Sequence, residues 1–391
     1  MIRALSAYTL DPDDVTGAVD DILSQLDLEK KLLKHSAGLL FCYRDFIQTG
    51  VVKALCSRLP FDVIGCTSQG VAVAGAADEI MLVLMVMTSD ESEFALGLSE
   101  PMRENAEDEA RIGGIYGKLS ATLGSPPSLM FTFLPLLTGF TGDFAVGVLD
   151  RLSGGVPVFG SVSLDMDTEM RSPMTIYNGE AYEDRLTLMV LSGETRPDFF
   201  LDSVPERNIS NQKAVITAAE GSLLISIDNM PAVDYMQKIG LIVDGRINAL
   251  FAFPVLADSH DGTEPKILTF YELGGNGSLV CASRVPVGAT LHIASPTTDM
   301  VLETAVDITN AIKKNKNWNG LLIFSCISRN MTLADPMDEM KMIAEQLRDS
   351  SGPYVFIYSA GELCPRRGEN GNLSNCFNLY SIIACTFGGE K

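Results

Sequence analysis

Two oppositely charged side chains hold matching positions in the chain. Arg329 lies four residues beyond the apolar run 321–325, and Glu362 lies four residues beyond the apolar run 354–358. A guanidinium fork takes a carboxylate through two parallel hydrogen bonds, and a carboxylate suits an ammonium group. Facing one cleft at strand ends, the two would grip a free amino acid at both ends. The competing reading is an Arg–Glu pair that braces a sheet. Cys326, three residues before Arg329, could be a thiolate favoured by that cation. A nucleophile also needs a base, and the chain holds only His35, His260 and His292, none in a motif with Cys or Ser. No catalytic residue is assigned, and Cys326 reads more simply as a small buried hydrophobe. No His or Cys spacing fits a metal site.

The runs that precede these residues end in small, hydroxyl-bearing turns. Gly65-Cys66-Thr67-Ser68-Gln69-Gly70, Gly160-Ser161-Val162-Ser163 and Ser359-Ala360-Gly361-Glu362 each follow an apolar segment. Gly and Ser let a backbone bend sharply and let a ligand approach closely. Each turn alone reads as an ordinary connection, but three at equivalent places suggest a shared pocket rim. Cys66, Thr67, Ser68, Ser161 and Asp165 are the candidates from the amino-terminal half. Local caps and hydrogen bonds are their other reading.

The elements that would position these turns recur three times. Helix-like residues 15–34 lead to strand 38–43, helix 45–58, strand 61–64 and a return strand 80–87. The second unit has helix 104–123, strand 129–134, helix 142–152, strand 156–159 and strands at 174–177 and 186–191. The third has helix 300–314, strand 321–325, helix 336–347, strand 354–358 and a return strand near 379–387. Between the second and third units, residues 198–296 turn into short strands (214–218, 222–227, 249–254, 267–271, 278–282, 289–294) with one helix starting at Pro231. Gly274-Gly275-Asn276-Gly277 is a hairpin turn there. The expected class is α/β (α+β): two lobes of mixed sheets flanked by helices, a recurring strand-helix-strand-turn-strand unit and a β-rich middle. A boundary is expected near residues 193–207, where Pro197 and Pro205 flank a polar link.

Composition narrows the partners. Fifty acidic against 29 basic residues give a net charge of −21 in 391 residues, a field that repels nucleic acid and anionic lipid alike. The longest apolar run, 80–87, is too short to span a bilayer, which takes about 20 residues. The first residues lack the pattern of a secretory leader. Eight scattered cysteines without a CxxC pair indicate buried thiols in a reducing compartment. The expectation is cytoplasmic, with no nucleic-acid partner and no membrane insertion.

A resemblance sharpens this. Ile64-Gly65-Cys66-Thr67-Ser68-Gln69-Gly70 resembles the iGCSTaGe segment of FIST amino-terminal domains, and Val158-Phe159-Gly160-Ser161-Val162-Ser163-Leu164-Asp165 resembles their later iGGgasD segment. The stretch from Val215 to Gly221 with Ile227-Asp228-Asn229-Met230-Pro231-Ala232 resembles the opening of the FIST carboxy-terminal domain. Cys326-Ile327-Ser328-Arg329 is similar to its C.gR motif, and Ser359-Ala360-Gly361-Glu362-Leu363-Cys364-Pro365 to its GEi.P motif, with Asn375 near a family asparagine. Gln69, Ser161, Ser328, Ser374 and Cys376 depart from the family's residues. The resemblance implies a FIST N-type domain at 1–200 and a FIST C-type domain at 201–391. It also implies a non-enzymatic sensor of a small ligand, an amino acid or small carboxylate favoured, that passes its state to a downstream signalling protein. The implied ligand-binding set is Cys66, Thr67, Ser68, Gly160, Ser161, Asp165, Cys326, Arg329, Gly361, Glu362 and Asn375, with no cofactor and no metal. Three alternatives remain: a haem-based gas sensor with His35, His260 or Cys66 as axial ligand, an interaction scaffold without small ligand, and a cysteine-dependent enzyme.

Overall fold

A computed structural model describes the chain except residues 104, 166–172, 244–253, 261–264, 316–317, 351, 368–371 and 390–391. The expected strand 249–254 falls almost wholly outside the described residues. The first unit runs β1 (Arg3–Thr9), α1 (Val15–Leu26), α2 (Leu28–Lys31), β2 (His35–Cys42), α3 (Asp45–Gln48), α4 (Val51–Ser57), β3 (Val63–Thr67), β4 (Val71–Val73), β5 (Ala76–Asp78) and β6 (Leu82–Ser89). The second runs β7 (Phe94–Leu98), α5 (Asp108–Ser120), β8 (Pro127–Leu134), α6 (Gly142–Ser153), β9 (Val158–Val162), β10 (Thr175–Tyr177), β11 (Glu180–Tyr182) and β12 (Thr187–Ser192).

The third unit opens with β13 (Asp198–Asp202) and is then interrupted by the β-rich segment. That segment holds β14 (Ile209–Glu220), β15 (Leu223–Ile227), β16 (Met230–Pro231), α7 (Ala232–Lys238), β17 (Val255–Asp258), β18 (Lys266–Leu268), β19 (Phe270–Leu273), β20 (Leu279–Cys281) and β21 (Thr290–Ala294). The unit resumes with α8 (Thr298–Lys314), β22 (Gly320–Cys326), α9 (Ile327–Asn330), α10 (Asp338–Gln346), β23 (Tyr354–Ser359), β24 (Glu362–Arg367), β25 (Leu373–Asn378) and β26 (Ile382–Phe387). The mixed α/β class and the threefold recurrence follow the sequence reading. The expected polar link at 193–207 instead carries β13, which pairs antiparallel with β26.

Each unit builds the same four-stranded sheet, and each lends a hairpin to another unit. Sheet orders are β1-β6-β2-β3, then β7-β12-β8-β9, then β13-β26-β22-β23. The hairpin β10-β11 of the second unit extends the first sheet at β3, β24-β25 of the third extends the second at β9, and β4-β5 of the first extends the third at β23. The exchange is cyclic. The three sheets turn one face to a shared core: Leu39, Phe41, Met85, Phe131, Phe133, Leu322, Phe324, Ile357 and Cys385 belong to one buried cluster. Phe41 meets Phe133 and Phe324 edge-on at 5.2 and 5.7 Å. Burying each such ring stabilises the fold by about 1.5–3 kcal/mol.

The opposite faces lie under helices, so the strands are apolar on both sides and lack simple alternation. Leu40, Cys42 and Leu84 pack under α1 and α4, while Ile323, Phe356 and Ala384 pack with residues of α8 and α10. The helix starts are capped: Asp14 accepts from Gly17 N, Thr141 from Phe144 N and Thr297 from Met300 N. Gly160 serves close approach, because a Cβ there would stand 1.9 Å from the Thr132 carbonyl oxygen across β8. The β-rich segment has its own core around Ile216, Leu224, Leu268, Phe270 and Leu291. It docks on α6, where Asp143 accepts from Lys266 Nζ at 2.8 Å and from Arg284 N at 2.9 Å.

Candidate functional site

The three strand-end turns converge, as their spacing suggests. Leu164 N donates to Thr67 O at 3.1 Å, and Ala360 N donates to Val162 O at 3.1 Å. Val162 N donates to Gly361 O at 2.9 Å, and Ser68 Oγ donates to Tyr358 O at 2.8 Å. Backbone therefore closes on backbone around the junction. A void of about 20 Å³ remains beside it, lined by Gly142, Val162, Cys281, Ala360 and Phe377 among others. Gly361 has φ +150°, and a Cβ on it would stand 2.5 Å from the Phe377 ring. Only glycine fits there without displacing that ring.

Polar groups gather at the third set of strand ends. Arg329, on the short helix α9, points its fork at Glu339 of α10: Nη2 to Oε1 is 2.7 Å and Nε to Oε1 is 3.2 Å. Nη2 also donates to Val301 O and Thr304 Oγ1, each at 3.0 Å, and Ser325 Oγ donates to Glu339 Oε2 at 2.9 Å. Glu362 takes a different set. Its Oε1 accepts from Ser359 Oγ and its Oε2 from Ser381 Oγ, both at 2.7 Å. Arg329, Glu339 and Glu362 are each 0% exposed.

So the guanidinium is held by Glu339, which the sequence reading missed. Glu339 resembles a first-turn surface acid, yet Glu339, Ile343 and Leu347 share one buried helical stripe, and that periodicity was the available signal. Burial pushes the Glu362 carboxyl up to about 8, against the pull of Ser359, Ser381 and the Arg329 charge. Burial and then Glu362 push the neighbouring Cys326 thiol up to about 12.

Two features mark this cluster as unsettled. The Arg329 Nη1 is buried without a hydrogen-bond partner among the described residues. Tyr380, fully buried, sits at φ +54°, a conformation that a bulky residue adopts only when its surroundings impose it. That turn brings the Tyr380 hydroxyl to 2.6 Å from Thr332 Oγ1 and the adjacent Ser381 onto Glu362.

The other candidates occupy neighbouring places. Cys66 Sγ lies 3.9 Å from Ser161 Oγ in the shared core, and its thiol is pushed up to about 12 by burial. Thr67 Oγ1 accepts from Met174 N and donates to Met174 O. Asp165, 2% exposed, pairs with Arg44 at 3.3 Å. Asn375 stands apart on β25: it accepts from Val158 N at 2.8 Å and donates to Asp150 Oδ1 at 2.7 Å, fastening the lent hairpin to the second unit. Among the described residues no group of three or more His, Cys, Asp and Glu side chains is placed to hold a metal ion.

The sequence matches the FIST N domain over residues 36–230 and the FIST C domain over residues 232–365. The chain belongs to the FIST family. FIST domains are associated with signal transduction. No curated protein matches the sequence. A solved structure titled "Structure of PurLQS from Thermotoga maritima" aligns at 8% identity over 100% of this chain and 73% of that one, with a TM-score of 0.19. A score that low carries no argument. Among the described residues of this FIST protein, no helix is long and apolar enough to cross a membrane.

Proposed function

We propose that this FIST protein is a non-catalytic cytoplasmic sensor whose ligand, an amino acid or small carboxylate, acts at the third set of strand ends. The observation that carries this reading is the buried, unpartnered Arg329 Nη1 beside an Arg329–Glu339 pair. A desolvated donor without a partner is costly, and a ligand carboxylate competing with Glu339 would satisfy it. Glu362, protonated while no ligand is bound, would give up its proton as the ligand's ammonium approaches and take that end together with Ser359 and Ser381. Entry requires α9 and the Tyr380 turn to move, so binding couples to a change of state that a signalling partner can detect.

The thiol chemistry fits this reading better than catalysis. With its pKa near 12, Cys326 stays protonated at neutral pH and offers no thiolate. Six of the eight cysteines, Cys42, Cys66, Cys281, Cys326, Cys364 and Cys385, are buried and serve as small hydrophobes. The residues considered for haem fit it poorly. His35 and Cys66 stand at opposite ends of the parallel pair β2–β3, and His260 already engages Asp258 and Thr290 with its two ring nitrogens.

The test is a thermal-shift screen of the twenty amino acids and small carboxylates. A compound at 100 times its Kd should stabilise the fold by about 2.7 kcal/mol, and Glu362→Gln should abolish that shift in a protein that still folds. Shifts indifferent to Glu362→Gln and Ser381→Ala place the ligand elsewhere. No shift with any compound favours the scaffold reading.

A further inference from the structure

An open cleft lies elsewhere, between α5 and the edge strand β7. It has a volume of about 630 Å³, and Leu98, Ile115, Leu119, Arg111, Lys118 and Tyr177 are among its walls. β7 pairs with β12 on one side only. The bonds Ser99 N to Leu186 O and Ser192 N to Glu93 O fix the phase of that ladder. Odd-numbered residues of β7 therefore face β12, and the N–H and C=O of Phe94, Leu96 and Leu98 face the cleft.

The first unit shows what completes this position. There the equivalent edge strand is β1, and Tyr8 corresponds to Leu98 by register through β6 and β12. The Gln25 side chain of α1 reaches across and pairs with both backbone groups of Tyr8. Oε1 accepts from Tyr8 N at 3.1 Å and Nε2 donates to Tyr8 O at 2.9 Å. In α5 the buried residues Ile112, Ile115 and Leu119 repeat the spacing of Val19, Ile22 and Leu26 in α1. Lys118 therefore stands where Gln25 stands, and lysine has no acceptor to offer a backbone N–H. Gly114, on the same helix face, has nothing within 4 Å of where a Cβ would be. One unit plugs its edge with a side-chain amide, whereas the next leaves the edge open beside a stripped helix.

We propose that this cleft takes an extended peptide segment of a partner protein, which adds to β7 as a further strand. Main-chain amides of such a segment supply the donor and acceptor that Gln25 supplies in the first unit. Its alternate side chains lie over Ile115 and Leu119, and the rim favours an acidic group at Lys118 and a basic one at Glu100. This inference is independent of where the small ligand acts.

The test uses the full chain and a phage-displayed random decapeptide library, with selected peptides remade and measured by fluorescence anisotropy. Gly114→Leu should weaken binding at least tenfold while leaving the circular dichroism spectrum unchanged. Lys118→Gln, which restores the amide, should weaken it as well. N-methylation along the peptide should weaken binding tenfold at alternate residues and leave the intervening ones unaffected. Peptides indifferent to Gly114→Leu and to N-methylation overturn the proposal, as does failure to select any. Concentration-dependent dimers in sedimentation that Gly114→Leu dissolves would also overturn it, assigning the cleft to a second copy of the chain.

Discussion

Arg329 and Glu339 form an ion pair at 2.7 Å with neither side chain reaching solvent. Removing one member of such a pair leaves the other charged and dry, which costs about 3–5 kcal/mol. Glu339→Ala should lose about that much stability in urea unfolding. Replacing both members with apolar residues, Arg329→Met with Glu339→Leu, should lose much less. A single-variant loss below about 1 kcal/mol would show that the pair is not held as described.

Glu362 makes stability fall with rising pH. Its folded carboxyl keeps a proton to about 8, against an ordinary value of 4.5. Between those values the folded state binds more protons than the unfolded chain. The stabilisation is therefore complete below about 4.5 and is lost as pH rises through about 8, at up to about 1.4 kcal/mol per pH unit. Denaturant midpoints measured across that range should decline for the wild type and flatten for Glu362→Gln. A wild-type slope that Glu362→Gln leaves unchanged would assign the titration to another group.

Asn375 and Asn178 do the same work on two exchanged hairpins. Asn375 accepts from Val158 N, and Asn178 accepts from Val63 N, each at 2.8 Å where a receiving strand begins. Asn375→Ala strands a backbone donor and should cost about 1–3 kcal/mol, visible as a lower melting temperature. An unchanged melting temperature would mean that water replaces the clamp without penalty.

Asp143 fastens the β-rich segment through Lys266 and the Arg284 amide. In Asp143→Ala, hydrogen exchange should quicken in peptides covering 266–284 while β22 stays protected. Equal protection in both proteins would show that the apolar contacts alone hold the segment down.

The three units were legible because their central strands are continuous apolar runs ending in small-residue turns, which is a local signature. Of the exchanged hairpins only β10 was, within the expected strand 174–177. Val71–Val73 and Glu362–Arg367 are short and find their partners far away in sequence, so no periodicity announces them. β1 and β7 escaped notice for their own reasons: Arg3–Thr9 mixes polar residues into its run, and Phe94–Leu98 is five residues broken by a glycine. At the candidate site, Arg329 and Glu362 stood out by position, and both lie in one buried cluster. The 339-343-347 stripe carried the burial of Glu339, but which groups meet, Glu339 with Arg329 and Ser359 with Ser381 on Glu362, depends on how α10 and the Tyr380 turn pack.

The cyclic exchange also governs how the chain can be made. Val71 finds Ile357 across the β4–β23 pairing, so a hairpin that leaves the ribosome early waits for nearly the whole protein to be translated. Contacts of such long range slow folding, and until they form the early strands expose unsatisfied edges to any neighbour. A chain interrupted before its last strands would emerge with its opening third unfinished, and chaperone demand should be greatest late in translation.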